Sequence, residues 1–94
     1  MDFKQGDLLI FNEEFIKRRK ERIAKFKKIQ NFYMAELYNK NLYNIYKVVK
    51  YQEDSEKIQV QFENNPPKVM DLKNFKKATE SDIKKIEIKS IFSI

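Results

Sequence analysis

Tyr43-Asn44-Ile45-Tyr46-Lys47-Val48-Val49-Lys50-Tyr51 is where the chain changes its period. Before it, apolar residues recur at helical spacing. From Tyr43 onward they are β-branched or aromatic and too closely spaced for one helix face, so 43–51 reads as a strand. The next run is cleaner: Ile58, Val60 and Phe62 alternate with Gln59, Gln61 and Glu63, the pattern of a half-buried strand over 58–63. The polar, acidic stretch 52–57 makes the turn between them. Asn64-Asn65-Pro66-Pro67 is a reversal that no strand interior tolerates, and the chain returns as a strand over 68–72.

Toward the N-terminus, Asn39-Lys40-Asn41 closes a long amphipathic helix over 13–38. Asn12 stands where an N-cap belongs, and Glu13 and Glu14 face the positive end of the helix dipole. No Pro or Gly interrupts the segment, and Gln30-Asn31 is the place where it would break. At 100° per residue Phe15, Ile16, Ile23, Phe26, Tyr33, Met34 and Leu37 share one face. Glu13–Lys17, Glu14–Arg18 and Glu21–Lys25 are i,i+4 pairs of the favoured polarity. Ahead of the helix, the only glycine lies in the turn Lys4-Gln5-Gly6-Asp7, which leads into a buried strand over 7–11. Toward the C-terminus, Thr79 and Asp82 have capping-box spacing and start a helical turn over 79–85. Ile86, Ile88, Phe92 and Ile94 then alternate with polar or small residues as a fifth strand over 86–94.

The order is strand, long insertion, three strands on short turns, helical turn, final strand, which makes residues 1–94 one α+β domain. Three phrases, Lys4-Gln5-Gly6-Asp7-Leu8-Leu9, Tyr46-Lys47-Val48-Val49-Lys50-Tyr51 and Ala78-Thr79-Glu80-Ser81-Asp82-Ile83, together with this order, resemble the SH3-like small β-barrel proteins of phages and mobile elements. The resemblance implies a five-stranded antiparallel β-barrel with the amphipathic helix inserted after the first strand. Such proteins include anti-CRISPR-like inhibitors, so it also implies a partner among host defence machinery. Some twenty-five helical residues replace the usual first loop, and no peptide-binding aromatic set is matched.

Charge is unevenly spread. Of the twelve residues 17–28, eight are basic and one, Glu21, is acidic, a net +7 in a chain whose total is +6. All three arginines lie there, so the other eighty-two residues net −1. Concentrated positive charge of this kind attracts phosphate backbones or acidic protein surfaces. Arg18, Arg22 and Lys25 project within about 60° of one another, with Lys17 and Lys28 on the neighbouring face. Arginine forks to phosphate oxygens and lysine acts as a point charge. Lys17, Arg18, Arg19, Arg22, Lys25 and Lys28 are therefore the candidate partner-binding residues. Arg19 is anomalous, because its wheel position falls within the apolar stripe between Phe26 and Ile23. Either the N-terminal half of the helix overhangs the core there, or Arg19 snorkels, or it faces a partner; the overhang is the expectation, and a carboxylate paired with Arg19 inside the domain would refute it. The five tyrosines are read chiefly as rim residues of a small core, with stacking on unpaired bases as the functional alternative.

Most catalytic chemistry is excluded by composition. There is no Cys and no His, which removes thiolate nucleophiles, disulfides, zinc fingers and imidazole bases, and one glycine cannot build a phosphate-cradling loop. Asp71 with Glu87-Ile88-Lys89 echoes the acid–strand–ExK spacing of metal-dependent nucleases, a pattern that an alternating Lys/Glu-rich strand also produces by chance. No apolar run approaches the roughly 20 residues of a membrane span. The expectation is a cytoplasmic, non-enzymatic protein without cofactor or metal and with no membrane partner. It acts stoichiometrically through the basic helix on an RNA or DNA backbone or nucleoprotein. The alternative is a phage inhibitor bound to a nucleic-acid-processing protein such as a CRISPR effector.

Overall fold

In the computed structural model, which describes the backbone of residues 3–92 and the side chains of residues 3–88, β1 (Leu8–Phe11) is an inner strand of the sheet. It pairs antiparallel on one side with β2 (Tyr46–Lys50) and on the other with β5 (Phe75–Lys77). Beyond β2 lie β3 (Lys57–Gln61) and β4 (Lys68–Asp71), giving an open five-stranded antiparallel sheet of order β4-β3-β2-β1-β5. Alternation sets the register. Ile58 and Val60 on β3 and Val48 on β2 turn inward and are buried. With Leu9, Phe11, Tyr46, Phe75 and Phe3 they form the main core. Each aliphatic side chain fully removed from water there contributes roughly 1.5–3 kcal/mol. Rings hold the centre: Phe11 stacks on Phe75 at 5.1 Å, and Tyr46 meets Phe75 edge-on at 5.4 Å.

The turn before β1 uses the chain's one glycine at φ +91°, the left-handed region that other residues enter at a cost. It is tied by Gly6 N–H to the Val48 carbonyl, at 2.9 Å, and by Lys4 N–H to the Asp7 carboxylate, at 2.8 Å.

The insertion between β1 and β2 is two helices, not one. α1 (Glu13–Lys28) and α2 (Phe32–Lys40) form an antiparallel hairpin. α1 ends in a Schellman motif: Asn31 N–H donates to the Phe26 carbonyl at 2.8 Å and Gln30 N–H to that of Lys27 at 3.0 Å. Gln30 takes the left-handed position, φ +63°, that glycine usually fills. Asn31 then caps α2 by accepting from Met34 N–H at 3.3 Å. The expected helix over 13–38 is thus divided in two at Gln30-Asn31, the break point the sequence offers, and the single apolar face is corrected. The reversal resets the helical phase, so Ala35 is buried, whereas Tyr33 is 76% exposed. Ile23, Ala35 and Leu42, with Phe26, Tyr38 and Tyr43, make a second small core, bridged to the first by Ile16.

Two expectations at the C-terminal end are also corrected. The helical turn before the last strand is a 3₁₀ turn, Leu72–Asn74, and the last strand is β5. The segment expected as a strand over 86–94 is instead part of α3 (Glu80–Phe92), with residues 93–94 outside the described range. The capping box does form: Thr79 N–H and Oγ donate to Asp82 at 3.0 and 2.9 Å, and Asp82 N–H donates to Thr79 Oγ at 3.1 Å. With no Pro or Gly after it, the helix continues through the isoleucines. Residues two apart on a helix diverge, so Ile86 is half-buried and Ile88 is 52% exposed. The expected strands over 7–11, 43–51 and 68–72 are present with shorter bounds, and the one expected over 58–63 runs instead over Lys57–Gln61.

Candidate functional site

Asn12 builds the site. Its Oδ1 accepts from Phe15 N–H at 2.9 Å, capping α1, while its Nδ2 donates to the Lys73 carbonyl at 2.7 Å. Its own N–H donates to the Asn74 carbonyl at 2.9 Å. One residue therefore fastens the 3₁₀ turn to the first turn of α1. Lys73 and Asn74 are thereby set beside the arginines that α1 presents next.

The result is a notch of about 290 Å³ between α1 and the 3₁₀ turn, lined by Arg18, Arg19, Arg22, Lys73, Asn74 and Asp71, with Phe15 at its base. Arg18 Nη2 donates to Asn74 Oδ1 at 3.5 Å, a long bond that fixes direction more than it stabilises. The notch's one carboxylate is already engaged. Lys57 hydrogen-bonds and ion-pairs with Asp71, and that bond, with the charges of Lys57 and Lys73, holds the Asp71 carboxyl below its ordinary range. Among the described residues Arg18, Arg22 and Lys73 make no ion pair. The i,i+4 pairs expected along α1 are not formed either, and Glu13 lies 3.8 Å from Lys76 of β5 instead. Like charges held this close repel one another and are relieved by an incoming anion.

The other candidates separate. Lys25 is exposed in the last turn of α1 and continues the ridge of Arg18 and Arg22 toward the hairpin tip. Lys17 stands on the neighbouring face, with Lys20 and Glu21 beside Tyr43, and Lys28, eleven residues on and about 20° away around the helix, lies exposed on that same face. The tip adds three exposed apolar residues, Ile29, Phe32 and Tyr33.

Arg19 does not overhang. The N-terminal half of α1 packs on the main core through Phe15 and Ile16, and Arg19 is half-buried with them. No carboxylate meets it among the described residues. Its guanidinium lies 4.4 Å from the Tyr38 ring centroid and 4.9 Å from that of Phe15. Aromatic faces take the place that a buried acid would have filled. The expected overhang is therefore corrected: the guanidinium lies half-buried against two rings.

Lys73 and Asn74 were not legible as site residues, because the contact that places them crosses sixty residues of sequence. Glu87 and Ile88, expected on a strand whose spacing from Asp71 echoes a nuclease pattern, lie on α3, and Asp71 is engaged by Lys57. Among the described residues no cluster of three acids is placed to hold a metal ion, and no helix is long and apolar enough to cross a membrane. Compared with known proteins, the chain matches no family model, no curated protein and no solved structure.

Proposed function

We propose that this chain is a non-enzymatic binding protein that takes the phosphate backbone of a nucleic acid, free or in a nucleoprotein, along α1. The notch carries the reading: Arg18, Arg22 and Lys73 converge beside an asparagine amide and make no ion pair among the described residues, while Asp71, the acid that lines the notch with them, is ion-paired with Lys57. Two guanidiniums at i,i+4 with Lys25 one turn on make a cationic ridge about 11 Å long, suited to successive phosphates. Contacts of this kind give affinity and register without reading sequence. The sheet belongs to the same proposal as an SH3-like fold whose barrel is left open between β4 and β5. Its support is the order β5-β1-β2-β3-β4, the insertion after β1 and the 3₁₀ turn before β5. A cytoplasmic location suits such a partner.

The test is a salt titration of RNA and DNA binding. Four phosphate contacts, from Arg18, Arg22, Lys25 and Lys73, give a slope of about −3 to −4 in log K against log salt. Reversing Arg18, Arg22 and Lys25 to Glu abolishes binding. Absence of binding at low salt, or a flat salt profile, refutes the proposal.

One observation favours a second reading, an anti-CRISPR-like inhibitor docking on a host protein such as a CRISPR effector. Ile29, Phe32 and Tyr33 stand exposed at the hairpin tip within a lysine collar, the composition of an apolar anchor with a charged rim. Capture of such an effector that survives nuclease treatment and fails with Phe32→Ala supports it; capture lost on nuclease treatment returns the choice to nucleic acid.

A further inference from the structure

Arg19 is a wall between two hollows. On one side is the notch; on the other is a larger cavity of about 490 Å³ between the helical hairpin and strands β3 and β4. This volume is within the roughly 300–1,000 Å³ typical of small-ligand sites. The rings of Tyr38, Tyr46 and Phe62 line the cavity, with the Tyr46 and Phe62 centroids 5.8 Å apart. Arg19, Lys40 and Lys68 supply its charge, and among the described residues no carboxylate lines it. Asn44 provides a polar edge. Its Nδ2 donates to Asn41 Oδ1 at 3.1 Å and toward the Tyr46 hydroxyl oxygen at 3.4 Å. Among the described residues the Asn44 carboxamide oxygen and the Tyr46 hydroxyl proton make no hydrogen bond.

Flat aromatic walls, an amide edge and an acid-free cationic rim match the three parts of one nucleotide. A base stacks on rings whatever its identity, an amide meets its hydrogen-bonding edge, and arginine or lysine takes its phosphate. An acidic peptide would satisfy the cations and leave the rings and amide unused, and a membrane surface would not enter a hollow between helix and sheet. The geometry points to this cavity as the seat of one unpaired nucleotide, in a strand whose backbone crosses Arg19 from the notch. The preferred target is then single-stranded RNA or DNA. This inference rests on the backbone-binding function proposed above.

The experiment is an anisotropy titration at low salt with one labelled 12-nucleotide strand in three forms: single-stranded, annealed as a duplex, and abasic with its phosphates retained. Wild-type protein should bind the single strand about tenfold or more tighter than the abasic strand, the scale of one base stacked on an aromatic residue. Phe62→Leu should bring the single strand down to the abasic level and leave duplex binding unchanged, with circular dichroism reporting the fold. Lys68→Glu, at an exposed rim position that does not risk folding, should weaken single-strand binding more than duplex binding. Arg22→Glu should weaken all three. Equal affinity for the three forms, with Phe62→Leu neutral, overturns the cavity assignment while leaving the backbone function standing. Binding of none of them removes both. Poly-glutamate that competes in a Phe62-dependent way, without any preference for bases, assigns the cavity to an acidic polypeptide and overturns the proposal.

Discussion

Replacing Arg19 by Gln tests the least expected feature of the molecule, a half-buried cation held between two rings. Gln keeps part of the aliphatic stem and has a helix propensity close to that of Arg, so the change isolates the guanidinium. Cation–π contacts contribute about 0.5–1 kcal/mol at exposed sites and about 2 kcal/mol when desolvated. With Tyr38 at 4.4 Å and Phe15 at 4.9 Å around a half-buried group, the expected loss is about 1–2 kcal/mol. Removing one charge from a crowded cationic helix offsets a few tenths of a kcal/mol, an effect screened at physiological salt, where the Debye length is about 8 Å. The assay is thermal and urea unfolding at that ionic strength, with a fall in Tm of about 4–8 °C per kcal/mol for a domain of this size. A double-mutant cycle with Tyr38→Leu should return a coupling of about 0.5–1 kcal/mol. A neutral or stabilising Arg19→Gln, or a coupling of zero, refutes the idea that the rings hold the cation.

Other consequences follow from the caps and the carboxylates. Gln30→Gly relieves a left-handed penalty of about 1–2 kcal/mol against about 0.4–1 kcal/mol of added unfolded-state entropy, so urea unfolding should show a gain near 0.5–1 kcal/mol. A loss would mean that the α1–α2 reversal is not where the backbone places it. Asn12→Ala removes the α1 cap and the tie to Lys73, costing about 1–2 kcal/mol and weakening phosphate binding beyond what the loss of stability explains. Unchanged binding would dissociate the 3₁₀ turn from the site. Asp7, Asp71 and Asp82 are held below their ordinary value of 3.8, chiefly by hydrogen bonds from Lys4, Lys57 and Thr79 respectively. The folded protein then binds fewer protons than the unfolded chain. Their contribution is complete above 3.8 and is lost as pH falls through the lower folded values. A Tm profile should be level near neutrality and decline below about pH 4; stability that rises on acidification would contradict these contacts.

What could be read from the sequence was what neighbours along the chain decide. The alternation of Ile58, Val60 and Phe62 is visible without knowing which strand lies opposite, because side-chain period is a local property. Asn12 and the Thr79–Asp82 box announce helix starts for the same reason. β5 was not legible, since Phe75-Lys76-Lys77 has no alternating pattern and is a strand only through its pairing with β1. The isoleucines of α3 misled, because β-branched residues spaced by two fit a strand locally while the capping box and the uninterrupted run beyond it favour a helix.

The sequence by itself determined that this protein concentrates its positive charge in one amphipathic segment between two strands. Covalent order suffices for that, and no packing can redistribute it. Only the tertiary structure decided how the charge is used. The reversal at Gln30 re-phased α2 and left Ile29, Phe32 and Tyr33 outside. The Asn12 bridge carried Lys73 and Asn74 to Arg18 and Arg22. Tyr38, nineteen residues from Arg19, supplied the ring that keeps a cation inward without an acid. Each of these depends on groups distant in the chain that become neighbours once the backbone has turned back on itself, and a helical wheel contains no such information.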